Sequence, residues 1–310
     1  MKVASYASKV SLFIVVLLLS VCLFLKRDHD TFSITKVIRL PGVQKPSSIL
    51  KYNNRYVITE LQNNRLAILE NLERGQVKYF DPKSIGKNFS SPHYLALTPW
   101  GTLLTSNGWG NSVIEIADLE GKNWREFSGK GKKMNAPHGI CVDDQGWIYV
   151  GDSLNSRLVR FKDMNGADYE VFSDNNRVIA YARQLVCREN TVWISNSYEQ
   201  RPGLNPGSGG NVLLIDDFES GEAKIVYENL QSTITGIMPV KDVVLVALWG
   251  DSQPIISKNL LNGQEEKITV PGNGLGIAYG FFKDDDNGRV LVTYFGDFKD
   301  NDGGIVILER

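Results

Sequence analysis

Apolar residues in this chain come in short runs separated by clusters of Asn, Asp and Gly, and residues 137–172 show the unit most clearly. Pro137-His138-Gly139-Ile140-Cys141-Val142 reads as a strand, Asp143-Asp144-Gln145-Gly146 as a tight turn, and Trp147 to Gly151 as a second strand. A polar, Asn-containing turn leads into Leu158 to Lys162, and Asn165-Gly166 turns the chain into Tyr169 to Phe172. Strands of about five residues joined by Asn, Asp and Gly turns carry hairpin chemistry.

The unit recurs. Asn63-Asn64-Arg65-Leu66-Ala67-Ile68-Leu69 returns as Asn155-Ser156-Arg157-Leu158-Val159-Arg160-Phe161, and Gly110-Asn111-Ser112-Val113-Ile114-Glu115-Ile116 lies between them. The segments before these also match, at Tyr56 to Glu60, Thr102 to Asn107 and Ile148 to Asp152. Looser copies follow at Val192 to Asn196, Val244 to Trp249 and Val290 to Phe295. A four-stranded sheet repeated about every 45 residues is a propeller blade. First strands begin near Pro46, Pro92, Pro137, Ala182, Thr235 and Leu275, which predicts an all-β, six-bladed β-propeller of four-stranded blades. The last blade has room for only three strands before Arg310. Phe32 to Leu40 alternates apolar and polar residues and is expected to supply the missing outer strand, closing the ring. The propeller then occupies residues 32–310 and a leader residues 1–31.

Lys2 and Lys9 precede an uncharged run, Val10 to Leu25, that ends at Lys26-Arg27. Its length falls between a signal-peptide core and a short membrane span. No small-x-small cleavage site follows it, so an uncleaved signal anchor is favoured over a cleaved signal or a lipoprotein signal at Cys22. The expectation is a single-pass membrane protein with its propeller on the extracytoplasmic side. Residues 26–31 form a short tether at the rim of the ring.

Lys and Arg together number 34 and Asp and Glu 35, so no net positive field draws the chain to nucleic acid. Three cysteines make no disulfide framework. Repeat alignment sets Cys141 opposite Val186 rather than Cys187, and a one-residue offset turns a side chain to the other face of its sheet. Two buried thiols are therefore expected in the propeller, and no disulfide. Asn88-Phe89-Ser90 is a glycosylation sequon. No phosphate-binding Gly loop, zinc-spaced Cys pair, His-Glu-x-x-His or nucleophile elbow is present.

Asn135-Ala136-Pro137-His138-Gly139-Ile140-Cys141-Val142-Asp143-Asp144-Gln145-Gly146-Trp147-Ile148-Tyr149-Val150-Gly151-Asp152, followed by Asn155-Ser156-Arg157-Leu158, resembles an NHL repeat, and Ser91-Pro92-His93 through Ile116 resembles a degenerate second copy. NHL propellers share their six-bladed shape with gluconolactonase-type lactonases and strictosidine-synthase-like proteins. Fold alone does not choose among these functions.

In a blade, the start of strand one and the end of strand two lie on one face, so several sets of residues converge on one channel mouth. His93 and His138 each follow the Pro that opens strand one, and Arg183 is their equivalent in the next blade. Two imidazoles there suit acid–base catalysis or a metal, and Arg183 suits an anionic substrate. Glu60, Asn107, Asp152 and Asn196 end strand two in four successive blades, and suit either a hard cation such as Ca²⁺ or capping of the following turns. Trp109, Tyr198, Trp249 and Phe295 fall at or just past the same point and suit a sugar or small organic ligand. A long loop, Ser197 to Asn211, and an Asp-bearing loop with Asp297, Asp300 and Asp302 lie on this face, whereas Asp284-Asp285-Asp286-Asn287-Gly288 is a hairpin turn on the other.

Two function classes follow. The favoured one is a membrane-anchored binding propeller that takes a small molecule, a glycan or a protein partner at the channel mouth. The alternative is a metal-dependent hydrolase or lyase, holding Ca²⁺ or Zn²⁺ at the same mouth. The resemblance to gluconolactonases implies a Glu, Asn and Asp metal set near the inner-strand starts, where this chain has Ser47, His93, His138 and Arg183. Lyases of the peptidyl-hydroxyglycine type use His ligands.

Overall fold

The computed structural model describes residues 31–73, 76–198, 209–250, 254–270, 275–296 and 302–310. These residues form six four-stranded antiparallel sheets arranged as a propeller. The innermost strands of blades one to six are Pro46–Tyr52, Pro92–Leu97, Pro137–Val142, Tyr181–Arg188, Ile234–Val240 and Ala278–Asp284. Blade six takes three strands from the C-terminal end of the chain and its outer strand, Ser33–Gln44, from the N-terminal end, as the alternation at Phe32 to Leu40 predicts. That strand pairs antiparallel with Asp302–Glu309, from Ser33 opposite Glu309 to Gln44 opposite Asp302. Among the described residues, no helix is long and apolar enough to cross a membrane. The predicted anchor at Val10 to Leu25 lies outside the described residues.

Apolar side chains bury themselves between blades. Six separate clusters form, one per interface: Cys141, Tyr149 and Leu158 of blade three, for example, meet Leu185, Val192 and Ile194 of blade four, and Val212 of blade four meets Ile237 and Val246 of blade five. Each sheet is thus buried on both faces, and this explains why its strands read as unbroken apolar runs.

This arrangement corrects the expectation for the cysteines. Cys141 and Cys187 form a disulfide with Cα atoms 5.6 Å apart. An offset of one residue does reverse a side chain's face, but neighbouring blades meet through opposite faces. An odd offset is therefore what brings two side chains together across an interface. Val186, the repeat partner of Cys141, packs toward blade five, whereas Cys187 packs back against blade three.

Hydroxyl groups add a second tie at every interface. Ser47 Oγ donates to the His93 carbonyl at 2.7 Å, Ser106 Oγ to the His138 carbonyl and Ser153 Oγ to the Ala182 carbonyl at 2.6 Å. Ser195 Oγ donates to the Thr235 carbonyl at 3.3 Å, Thr235 Oγ1 to the Ala278 carbonyl at 2.8 Å and Thr293 Oγ1 to the Ser47 carbonyl at 3.1 Å, which returns the ring to blade one. Replacing Thr293 by Val keeps its shape and removes the last of these bonds. We expect a loss of about 1–3 kcal/mol, because a buried carbonyl loses its partner. Urea unfolding of the variant measures it; an unchanged midpoint would show that the tie contributes nothing.

Candidate functional site

Every inner strand breaks register with its neighbour near its start, as between Pro137 and Ile140, between Ala182 and Leu185 or between Ala278 and Phe281. Such irregularities re-aim side chains. The residue just inside that break is Ser47, His93, His138, Arg183, Thr235 or Tyr279 in blades one to six, and these residues surround the hub at one end of the channel. His93 and His138, from adjacent blades, stack with ring centroids 3.7 Å apart. Tyr279 comes from blade six, and its ring lies 6.4 Å from that of His93. Room for His93 depends on Gly108, where a Cβ would stand 2.7 Å from the imidazole Cδ2.

Hydrogen bonds assign the state of each ring. His138 Nδ1 donates to the Ala136 carbonyl at 2.9 Å, which leaves Nε2 to accept from the Tyr181 hydroxyl at 3.1 Å. Arg183 Nη1 donates to the Tyr279 hydroxyl at 3.4 Å, and that hydroxyl faces His93 Nδ1 at 3.4 Å. His93 Nε2 in turn lies 3.2 Å from Ser91 Oγ. The guanidinium is held by Ser197 Oγ, 3.1 Å from its Nε, and lies near the Tyr181 and Trp249 rings, at 5.1 and 5.7 Å. Burial, the neighbouring His138 and the Arg183 charge hold His93 well below the ordinary imidazole range. Burial and Arg183 push His138 down to about 3, against a smaller opposing effect from its bond to Ala136. The hub end therefore presents two neutral imidazoles, two phenol hydroxyls and one fixed positive charge.

Aromatic groups flank this ring on one side. Tyr279 stacks on Phe295 at 4.1 Å, and Trp249 stands edge-on to both. Trp249 is partly exposed, whereas Phe295 is buried. Below the ring the channel is blocked. Tyr94 reaches from blade two across the axis to donate to the Thr235 carbonyl of blade five at 3.0 Å. Gln184 of blade four bonds the Ile237 and Phe281 amides and the Phe281 carbonyl with its own amide group.

The structure thus brings together His93, His138, Arg183, Trp249 and Phe295. It does not gather the others. Trp109 stands exposed on blade two, and Tyr198 is buried with its hydroxyl on Glu228. Glu60 accepts from the Gln44 amide and pairs with Arg65, and Asp152 accepts from the Asn135 amide and pairs with Arg157. Asn107 accepts from the Ser90 amide, and Asn196 from the Ala180 and Tyr181 amides. All four clasp the loop that enters their own blade, and Glu60 and Asp152 also accept from Asn63 and Asn155 of the turn that follows. Asp302 accepts from the Gly42 amide. Asp297, Asp300 and residues 199–208 of the long loop lie outside the described residues. Among the described residues, no three His, Cys, Asp or Glu side chains group as metal ligands.

Tyr279 is absent from the sequence reading because the sixth inner strand begins at Ala278, three residues past Leu275. Its signal is present nonetheless: Tyr279-Gly280 repeats the pair His138-Gly139 at the second and third positions.

The two depressed imidazoles make stability fall with acid. Unfolded, each takes up a proton near its ordinary 6.5, while folded His138 stays neutral down to about 3. The unfolded state therefore binds more protons throughout that window, and stability drops by up to about 1.4 kcal/mol per pH unit per imidazole as pH falls. Thermal melts between pH 7.5 and 4 should show this slope, and the double variant His93→Gln, His138→Gln should flatten it. An equal slope in the variant would place the acid sensitivity elsewhere.

Comparisons with known proteins agree with this geometry at the level of fold. Residues 134–161 match the NHL repeat. No curated protein matches the chain in sequence. A gluconolactonase from Xanthomonas campestris superposes with a TM-score of 0.62 at 15% identity, over 91% of this chain and 95% of that one. A catalytically inactive virginiamycin B lyase from Staphylococcus aureus, solved with quinupristin, gives 0.59 at 14% identity, over 90% and 100%. A chain of the nidogen/laminin complex gives 0.60 at 14% identity, over 77% and 84%. At these identities the likeness is one of fold alone. The chain carries an NHL repeat within a six-bladed propeller whose solved neighbours include lactonases, lyases and a chain of the nidogen/laminin complex.

Proposed function

We propose that this protein is a membrane-anchored, extracytoplasmic binding propeller that takes a small organic anion at the hub end bearing His93, His138, Arg183 and Tyr279. One observation carries the reading. Near the starts of the inner strands stand the Arg183 guanidinium, the neutral imidazoles of His93 and His138 and the Tyr279 hydroxyl, a cation with hydrogen-bonding groups around it that suits an anionic ligand. The Trp249 edge and the Tyr279–Phe295 stack offer an apolar wall beside that charge, which suits an anion with a flat or sugar-like body. An exported location draws support from the Cys141–Cys187 disulfide, a bond that persists in oxidising compartments, and from the apolar leader at Val10 to Leu25.

A calorimetric titration with small carboxylates, aldonates and sulfated sugars, beside their neutral counterparts, tests the proposal. Anions should bind and neutral analogues should not. Arg183→Gln should weaken binding at least tenfold and Trp249→Ala several-fold. Equal affinity for neutral and anionic members of a pair would overturn it.

A second reading, a hydrolase or lyase, is favoured by the two hydroxyl–imidazole contacts, Tyr181 with His138 and Tyr279 with His93. Proton transfer between such groups is the ordinary work of an active site. Turnover of lactone or cyclic ester substrates that falls at least a hundredfold in His138→Gln would establish this reading. Elemental analysis for Zn²⁺ and Ca²⁺ would decide whether it needs a metal.

A further inference from the structure

The opposite end of the channel holds a cavity of about 260 Å³. Its wall is built from the later residues of the inner strands, among them Leu50, Leu95, Ile140, Leu185, Met238 and Phe282, together with the Cys141–Cys187 disulfide. It is separated from the histidine end by Tyr94 and Gln184, which cross the axis between the two. The polar groups that border it are already bonded. Ser48 Oγ accepts from the Leu95 amide at 3.2 Å, the Tyr94 hydroxyl donates to Thr235, and the Gln184 amide makes three bonds to blades five and six. A polar ligand would shed its water here and gain no partner, whereas an apolar one gains by burial.

The chain's entry point says where such a ligand would come from. The closing strand starts at Ser33, opposite Glu309, and runs toward the histidine end, so the chain joins the ring at the cavity's end. Phe32 is buried there in the core that also holds Val240 and Val243, the hairpin tip of blade five. Residues 26–31 then span at most roughly 20 Å between this face and the apolar run Val10 to Leu25. An anchor on so short a tether holds the cavity's mouth toward the bilayer and the histidine end away from it.

We propose that this cavity takes an acyl chain of a membrane lipid, tail first, while the headgroup stays at the open mouth. The inference rests on the membrane-anchor reading and is independent of what binds at the histidine end. The full-length protein, reconstituted in phosphatidylcholine vesicles that carry a diazirine-tailed phosphatidylcholine, provides the test. After irradiation, label should appear on Leu97, Met238 or Phe282 as well as within residues 10–25. Leu97→Glu, at the partly exposed rim, should cut the cavity label at least fivefold and leave that of residues 10–25 unchanged. Protein that floats with the vesicles but is labelled only within residues 10–25 overturns the acyl-chain site and leaves the anchor standing. Protein that does not float overturns the anchor, and the lipid source with it.

Discussion

The six sheets of this protein stand in a circle because each one reaches across to the next with a buried hydroxyl. A blade alone has two apolar faces and no stable way to cover them. Packing face to opposite face solves that problem locally, and it permits many blade angles. The hydroxyl-to-carbonyl bonds narrow the choice, since each acceptor is a carbonyl at the very start of a neighbour's inner strand. Two of the six acceptors belong to His93 and His138, whose rings stack at the hub. The bond that spaces the blades therefore also sets where the site's side chains emerge. Where strand two lacks a hydroxyl, at Gly151 and Ala247, the tie moves to Ser153 and Thr235, so the contact is kept although its residue changes.

Electrostatics at the hub follow from that crowding. Two imidazoles at stacking distance cannot both carry charge beside Arg183, and burial removes the water that would screen them. The result, among the described residues, is an end of the channel where two neutral imidazoles stand beside the Arg183 guanidinium. Tyr94 and Gln184 then divide the axis, so that the two ends differ in chemistry: charged and hydroxyl-rich on one, apolar on the other.

Much of this was legible in the sequence. Turn residues at regular intervals, the near-identity of Asn63 to Leu69 with Asn155 to Phe161, and the alternation at Phe32 to Leu40 gave the blades, their number and the closing strand. Repeat alignment also brought His93, His138 and Arg183 together, because ring geometry turns equivalent positions into neighbours. The reading failed where register mattered to the single residue. A three-residue error at the sixth inner strand hid Tyr279. For the cysteines the face rule was right within a sheet; what was missing was the rule between sheets, that facing surfaces have opposite parity. The acids and amides at the ends of strand two looked alike as ligands and as clasps, and only the position of the incoming loop amide distinguishes the two.

Closing the ring with a strand from each end of the chain has a consequence for biogenesis. Ser33–Gln44 is the earliest part of the propeller to be synthesised, and its partner, Asp302–Glu309, is the last. Until Asp302–Glu309 emerges, that first strand has no mate and the nascent wheel stays open at one interface. Complete closure must wait for that last strand, across a gap of more than 250 residues whose entropic cost grows only slowly with length. Through that interval the first strand keeps an unsatisfied sheet edge, the part of this fold most open to mispairing.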